Sequence, residues 1–153
     1  MDNATLFLVM SGLSGVGWLL IVFSPCWKGA DRVVMGVIVA VLAVAYGTFN
    51  FTHLGEVGGL TAFFTYEGAQ VVFANHGLQL AAWAHILAAD LVAGVWMVHN
   101  SRRYQIRHLV MVPVYLVTIV LGPLGVLLYL IVRTGKTLNW FADNGGAESG
   151  RWR

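Results

Sequence analysis

The apolar residues of this chain fall in four long, nearly unbroken runs, at about residues 5–24, 32–51, 76–98 and 108–132. Each is long enough to cross a hydrocarbon core of about 30 Å, which needs roughly 20 helical residues. The runs do not alternate between apolar and polar positions, and this excludes a closed β-barrel. Pro25 ends the first run, and Pro113 and Pro123 lie inside the fourth, where each is expected to bend the helix. The pattern therefore predicts an all-α integral membrane protein, a four-transmembrane-helix bundle.

The stretch 52–75, between the second and third runs, differs. It contains "LTAFFTYEGAQVVFA", in which Phe63, Phe64, Val71, Val72 and Phe73 mix with Tyr66, Glu67 and Gln70. It is too short to span twice and too apolar for a plain loop. An amphipathic or re-entrant segment between helices two and three is expected, acting as a connector or as a lid over a lipid-facing cavity. The end of the chain, "ADNGGAESGRWR", is polar and Gly-rich, so a single membrane domain over 1–140 and a flexible tail over 141–153 are expected.

Composition agrees with the pattern. Of the 153 residues 58% are hydrophobic and 10% charged, against about 25% charged in an ordinary soluble domain. The net charge of +2 is small and scattered, which argues against nucleic acid as a partner. The one cysteine, Cys26, excludes an internal disulfide and a CxxC metal site, and reads as a small residue at a helix end. No basic residue precedes Lys28, so the first run reads as a retained span rather than a cleaved leader.

The basic residues also orient the bundle. Lys28 and Arg32 follow the first run, Arg102, Arg103 and Arg107 follow the third, and the N-terminus and residues 52–75 carry none. Loops one and three are then cytoplasmic and both termini outside, in a bacterial inner membrane. Arg133, Lys136, Arg151 and Arg153 near the end of the chain argue the other way.

Against this background Asp90 stands out. It sits near the middle of "AAWAHILAADLVAGVW", and a carboxylate at a helix centre costs about 2.5–3.5 kcal/mol on insertion scales. Such a residue points to proton handling, ligand orientation or a structural hydrogen bond between helices. His85 lies in the same run. Residues five apart on a helix point about 140° from each other, so the two share a cavity only if it wraps the helix. Trp83 and Trp96 could flank a long conjugated ligand or belong to an interfacial belt. Arg107 and His108 open the fourth run, where Arg107 either partners Asp90 or snorkels to headgroups. Tyr46, Asn50 and His53 could add hydrogen bonds from the second helix, and Glu56 and Glu67 lie in the loop. Haem is a second possible occupant. Five histidines are present, but only His85 is at mid-membrane depth. Small residues (Ser11, Gly12, Gly15, Gly17; Gly36, Ala40, Ala43, Gly47) suit close helix packing, and a homodimer or homotrimer through the first helix is expected.

Three separated motifs in order, Trp83-x-His85 with Asp90, Arg107-His108, and Gly122-Pro123-x-Gly125, together with "SPCWKGADR", make the chain resemble the family of plant neoxanthin synthase, the abscisic-acid-deficiency membrane protein, and its bacterial relatives. The resemblance covers most of the chain and is densest from about Tyr66 to Arg133. Val95-Trp96 departs from it, where an Arg often stands, as do a longer run before Gly122 and the lack of a plastid-targeting segment. It implies a four-helix membrane protein whose plant members are associated with turning violaxanthin into neoxanthin. In that isomerisation an epoxide opens, a chain proton leaves and an allene remains. It needs an acid, a base and a dry slot but no redox cofactor and no metal.

Two functions are therefore expected to compete. One is an isomerase of a carotenoid or related isoprenoid lipid, with Asp90 and His85 as the acid/base set and Trp83, Trp96, Arg107, His108, Tyr46, Asn50 and Glu67 around the substrate. The other is a non-catalytic membrane module that binds a carotenoid, retinal, a quinone or haem.

Overall fold

The structure, a computed structural model, describes residues 2–27, 29–138 and 140. The tail expected at 141–153 lies outside the described residues. Those described are helical throughout, with no strand. The chain divides into two compact units, Met1–Val95 and Trp96–Arg153, with the boundary inside one long helix.

In the first unit α1 spans Asn3–Val22 and ends in a turn at residues 23–26 that contains Pro25. The second apolar run is longer than expected. It forms a continuous helical rod, Ala30–Val57, built from α2 (Ala30–Val33), a wide π-type turn at Val34–Val39, α3 (Ala40–His53) and a tight final turn at Leu54–Val57. Gly58 stops it at φ 90°, a left-handed conformation that costs glycine little. α5 runs from His76 to Arg103, also beyond its expected end.

Packing fixes the directions of these rods. Trp83 of α5 stacks on Phe7 of α1, with ring centres 4.8 Å apart, and its indole N–H donates to Ser11 Oγ at 2.9 Å. Further along, Gly17 lies against Leu91, and Gly94 against Trp18 and Ile21. Contacts that advance together along both helices mean that α1 and α5 run parallel. α3 runs the opposite way, because Tyr46 meets His85 while His53 meets Gly77. This is the up-down-up order expected of three successive spans. All three rods are long and apolar enough to cross a membrane.

The segment between the second and third rods contains the short helix that its sequence suggests. A 3₁₀ stretch at Gly59–Phe64 leads into α4, Tyr66–Ala74. Thr65 caps α4 by accepting from the Gly68 N–H at 3.0 Å. Asn75 does the same for α5, its Oδ1 accepting from the N–H groups of Gly77 and Leu78 at 2.9 and 3.1 Å. Ala62, Val72 and Leu78 form a small buried cluster, with Val57 packed against it. The segment is thereby fastened over the start of α5.

The fourth run differs from expectation. It is two helices, α6 (His108–Leu121) and α7 (Pro123–Thr137), broken at Gly122, whose φ is 38° and ψ −97°. Pro123 does not bend a helix there. It begins one, in a first-turn position where its missing N–H is no loss. The chain reverses at the break, since a Cβ built on Gly125 would lie 2.5 Å from the backbone nitrogen of Thr118. Tyr129 lies close to Tyr115, and Arg133 stacks over Tyr104, which precedes α6. Partners at 118 and 125, then 115 and 129, step evenly away from Gly122, so α6 and α7 form an antiparallel hairpin. At 1.5 Å per residue each arm is about 21–22 Å long, short of the roughly 30 Å core.

Candidate functional site

α3 and α5 approach along faces with helical spacing. Tyr46 and Asn50 are one turn apart on α3. Leu78, Ala82, His85 and Ile86 recur at three- and four-residue intervals on α5. Between these faces, closed on a third side by Phe63, Val72 and Phe73, lies a partly open cavity of about 310 Å³. Its walls are apolar except for Tyr46, Asn50 and His85. The Tyr46 and His85 rings are 5.3 Å apart and tilted by 44°. Asn50 donates from its side-chain nitrogen to the Tyr46 carbonyl at 2.9 Å. Its Oδ1, the Tyr46 hydroxyl and both His85 ring nitrogens stay unengaged by the described residues. An apolar slot with a few convergent polar groups is the ordinary form of a small-molecule site, and this volume is near the lower end of its usual range, about 300–1,000 Å³.

Beside the cavity, at the mouth of the same unit, a second polar group ties the loop to α5. Glu56 accepts from the Asn75 amide at 2.8 Å and faces His53 Nδ1 at 3.1 Å, and the His53 ring lies against Gly77. Gln79 donates to the Phe73 carbonyl at 2.7 Å. These contacts hold the segment that supplies Phe63, Val72 and Phe73 to the cavity.

Of the residues singled out in the sequence, Tyr46, Asn50 and His85 are brought together. Trp83, on another face of α5, lines a different hollow with Phe7, Gln79 and Leu80. Asp90 is half-buried in the first unit, is not among the cavity's lining residues, and makes no hydrogen bond or ion pair with the described residues. Glu67 is exposed on α4. Trp96, Arg107 and His108 belong to the second unit. There Trp96 meets Tyr129 edge-on at 5.3 Å, His108 faces Tyr115 at 5.8 Å, and Arg107 is exposed beside the first turn of α6. Among the described residues no three His, Cys, Asp or Glu side chains cluster as metal ligands would.

Comparison with known protein families matches residues 5–129 to ABA DEFICIENT 4-like proteins. The chain belongs to the ABA4-like family. The match takes in α1, the rod Ala30–Val57, α4, α5, α6 and the first half of α7, so the cavity and the hairpin turn both lie inside the family's region. Neither the curated proteins nor the solved structures contain a match to this chain.

Phe63, Val72 and Phe73, from the segment expected to act as a connector or a lid, form the third wall of the cavity, although sequence reasoning did not place them among the substrate contacts. Sequence reasoning also missed a buried polar set in the second unit. There the Tyr129 hydroxyl donates to Asn100 Oδ1, the Tyr115 side chain is fully buried, and Arg133 is nine-tenths buried. The available signal was the presence of Tyr115 and Tyr129 in an otherwise apolar run.

Proposed function

We propose that this ABA4-like protein is a membrane isomerase of a carotenoid or related isoprenoid lipid, and that the α3–α5 cavity receives one end of that molecule. The observation that carries this reading is the cavity itself: an apolar slot with Tyr46, Asn50 and His85 as its polar contacts. About 310 Å³ suits a ring-sized end group rather than a whole long-chain isoprenoid. The remaining chain would leave through the open side into lipid.

The proposed reaction is balanced within one molecule. The C–O bond of a ring epoxide breaks and the oxygen gains a proton. A C–H bond on the adjoining chain gives up its proton, and its electron pair becomes the new double bond. An acid at the oxygen and a base at the chain are needed in a site that excludes water. His85 is suited to either task. Asp90, with no hydrogen-bond or ion-pair partner among the described residues, is the second proton-handling group in this proposal and acts where the chain passes along α5. No cofactor is required.

A binding module without turnover is the second reading, and the separation of Asp90 from the cavity lining favours it. The two are told apart in carotenoid-producing bacterial cells expressing wild type, Asp90→Asn or His85→Ala. Extracted pigments are resolved by liquid chromatography with absorption spectra. A new isomer made by wild type and absent with Asp90→Asn supports the isomerase. Pigment retained by the purified protein with an unchanged cellular profile supports the binding module, and a Soret band supports haem on His85.

We also propose three membrane spans followed by a re-entrant hairpin, in place of four spans. The hairpin returns the chain to the end of α5, so Arg133 and Lys136 lie at the same end of the second unit as Arg102, Arg103 and Arg107. The basic residues that conflict with a four-span layout then agree with the rest, with the N-terminus outside and the end of α7 in the cytoplasm. In a Cys26→Ser background, Leu138→Cys should resist a membrane-impermeant thiol reagent in intact cells and react after lysis. Labelling in intact cells would refute the layout. Gly12 and Gly15 have no packing partner within 4 Å of a built Cβ, which leaves the outer face of α1 open for a second copy.

A further inference from the structure

The second unit has an unbalanced charge. Between Asp90 and Asp143 the sequence holds no acidic residue, yet it holds Arg102, Arg103, Arg107, Arg133 and Lys136. The hairpin gathers these five at one end: Arg102 and Arg103 close α5, Arg107 precedes α6, and Arg133 and Lys136 close α7. Four are exposed, as surface cations should be. Arg133 is the exception, only 9% exposed. Its guanidinium lies over the Tyr104 ring at 5.7 Å and donates one bond, at 2.9 Å, to the Trp140 carbonyl. Among the described residues its Nε has no hydrogen-bond partner, and neither has the buried Thr134 hydroxyl next to it in sequence. No described carboxylate pairs with it.

A buried cation is normally paired, because removing it from water costs more than a neutral carbonyl or an aromatic face returns. We infer that the open end of the hairpin is a binding site for a phosphate anion, with Arg133 as its central cation and the surrounding arginines and Lys136 as its rim. Guanidinium groups match phosphate oxygens in charge and geometry. The phosphate is carried by an acidic phospholipid headgroup or is free in solution, and the two differ only in what is attached. The inference rests on the membrane reading but not on the isomerase reading, so failure of either leaves the other standing.

The test uses the full-length protein in a neutral detergent. Retained lipid is measured by native mass spectrometry, and thermal unfolding is followed with added short-chain phosphatidylglycerol, the matching phosphatidylcholine, or inorganic phosphate alone. The expected result is a preference for phosphatidylglycerol over phosphatidylcholine of about tenfold, as one charge-assisted contact gives. Arg133→Gln should lose it while keeping wild-type helicity, and Arg133→Lys should keep part of it. Equal stabilisation by inorganic phosphate would identify free phosphate as the ligand of the same site. Folded wild type that shows no preference between the lipids and no response to phosphate overturns the inference, as does an undiminished preference in folded Arg133→Gln. The wild-type comparison decides the matter even if both variants fail to fold.

Discussion

The two units of this protein treat polar side chains in opposite ways. In Met1–Val95 the polar groups around the cavity are left open, while others, such as Trp83 with Ser11 and Glu56 with Asn75, are paired. Tyr46, Asn50 and His85 face a cavity without hydrogen-bond partners among the described residues for their key atoms, and Asp90 is half-buried with none among them. Among the described residues of Trp96–Arg153 several are buried and engaged: Tyr129 with Asn100, Ser101 with the Val98 carbonyl at 3.0 Å, and Thr118 with the Val114 carbonyl at 2.8 Å. Unengaged polar groups in an apolar setting are a cost unless a ligand or a reaction uses them. Engaged ones hold helices together. The contrast fits the proposal of small-molecule chemistry in the first unit and a packed scaffold in the second, where Arg133 is a buried cation.

Breaking the scaffold should have the largest effect. Gly125→Val puts a side chain into the Thr118 backbone, and neither arm of the hairpin can yield without opening it. A loss of about 3 kcal/mol or more is expected, read as a fall in the thermal unfolding midpoint. A midpoint within a degree of wild type would mean that the hairpin is not tightly closed. Next, Tyr129→Phe leaves Asn100 buried without its donor, at a cost of about 1–3 kcal/mol. In the first unit, Gly77→Ala pushes the His53 ring away and disrupts its contact with Glu56. About 1 kcal/mol is expected, seen locally as faster proteolysis within residues 54–75, with α1 and α5 unaffected. The smallest effect belongs to the open residues. His85→Ala removes an exposed side chain with no hydrogen bond to lose, so the midpoint should shift by less than about 0.5 kcal/mol while ligand retention falls. A large destabilisation by His85→Ala would blur the comparison, because it would make His85 structural.

Much of this was legible in the sequence, and the exceptions have physical causes. Continuous apolar runs gave α1, the second rod and α5, because in such runs only a helix satisfies the backbone. Their ends were less certain, since polar residues such as His53 and Arg103 can extend a helix once a cap or a left-handed glycine sets its end. The hairpin was misread for a different reason. Hydropathy stays high straight through Leu121-Gly122-Pro123-Leu124, so a run of suitable length hides a reversal. The signal was present in the order of the two residues, glycine ending one helix and proline starting the next. Within the site, Tyr46 and Asn50 were found because they are polar on an apolar helix. Phe63 and Phe73 were noticed only as part of a possible lid and not as site residues, since aromatic residues in an apolar segment look the same whether they line a cavity or face lipid.

The most direct test of the central claim is pigment retention by wild type and Ala82→Trp, both purified from carotenoid-producing cells. Ala82 lines the cavity, and a tryptophan there would block much of it while leaving Asp90 and His85 in the sequence unchanged. The account predicts a carotenoid-like absorption spectrum on wild type and its loss from Ala82→Trp, with helicity preserved. Equal pigment on both proteins, or a bare wild type from cells rich in several carotenoids, would contradict it.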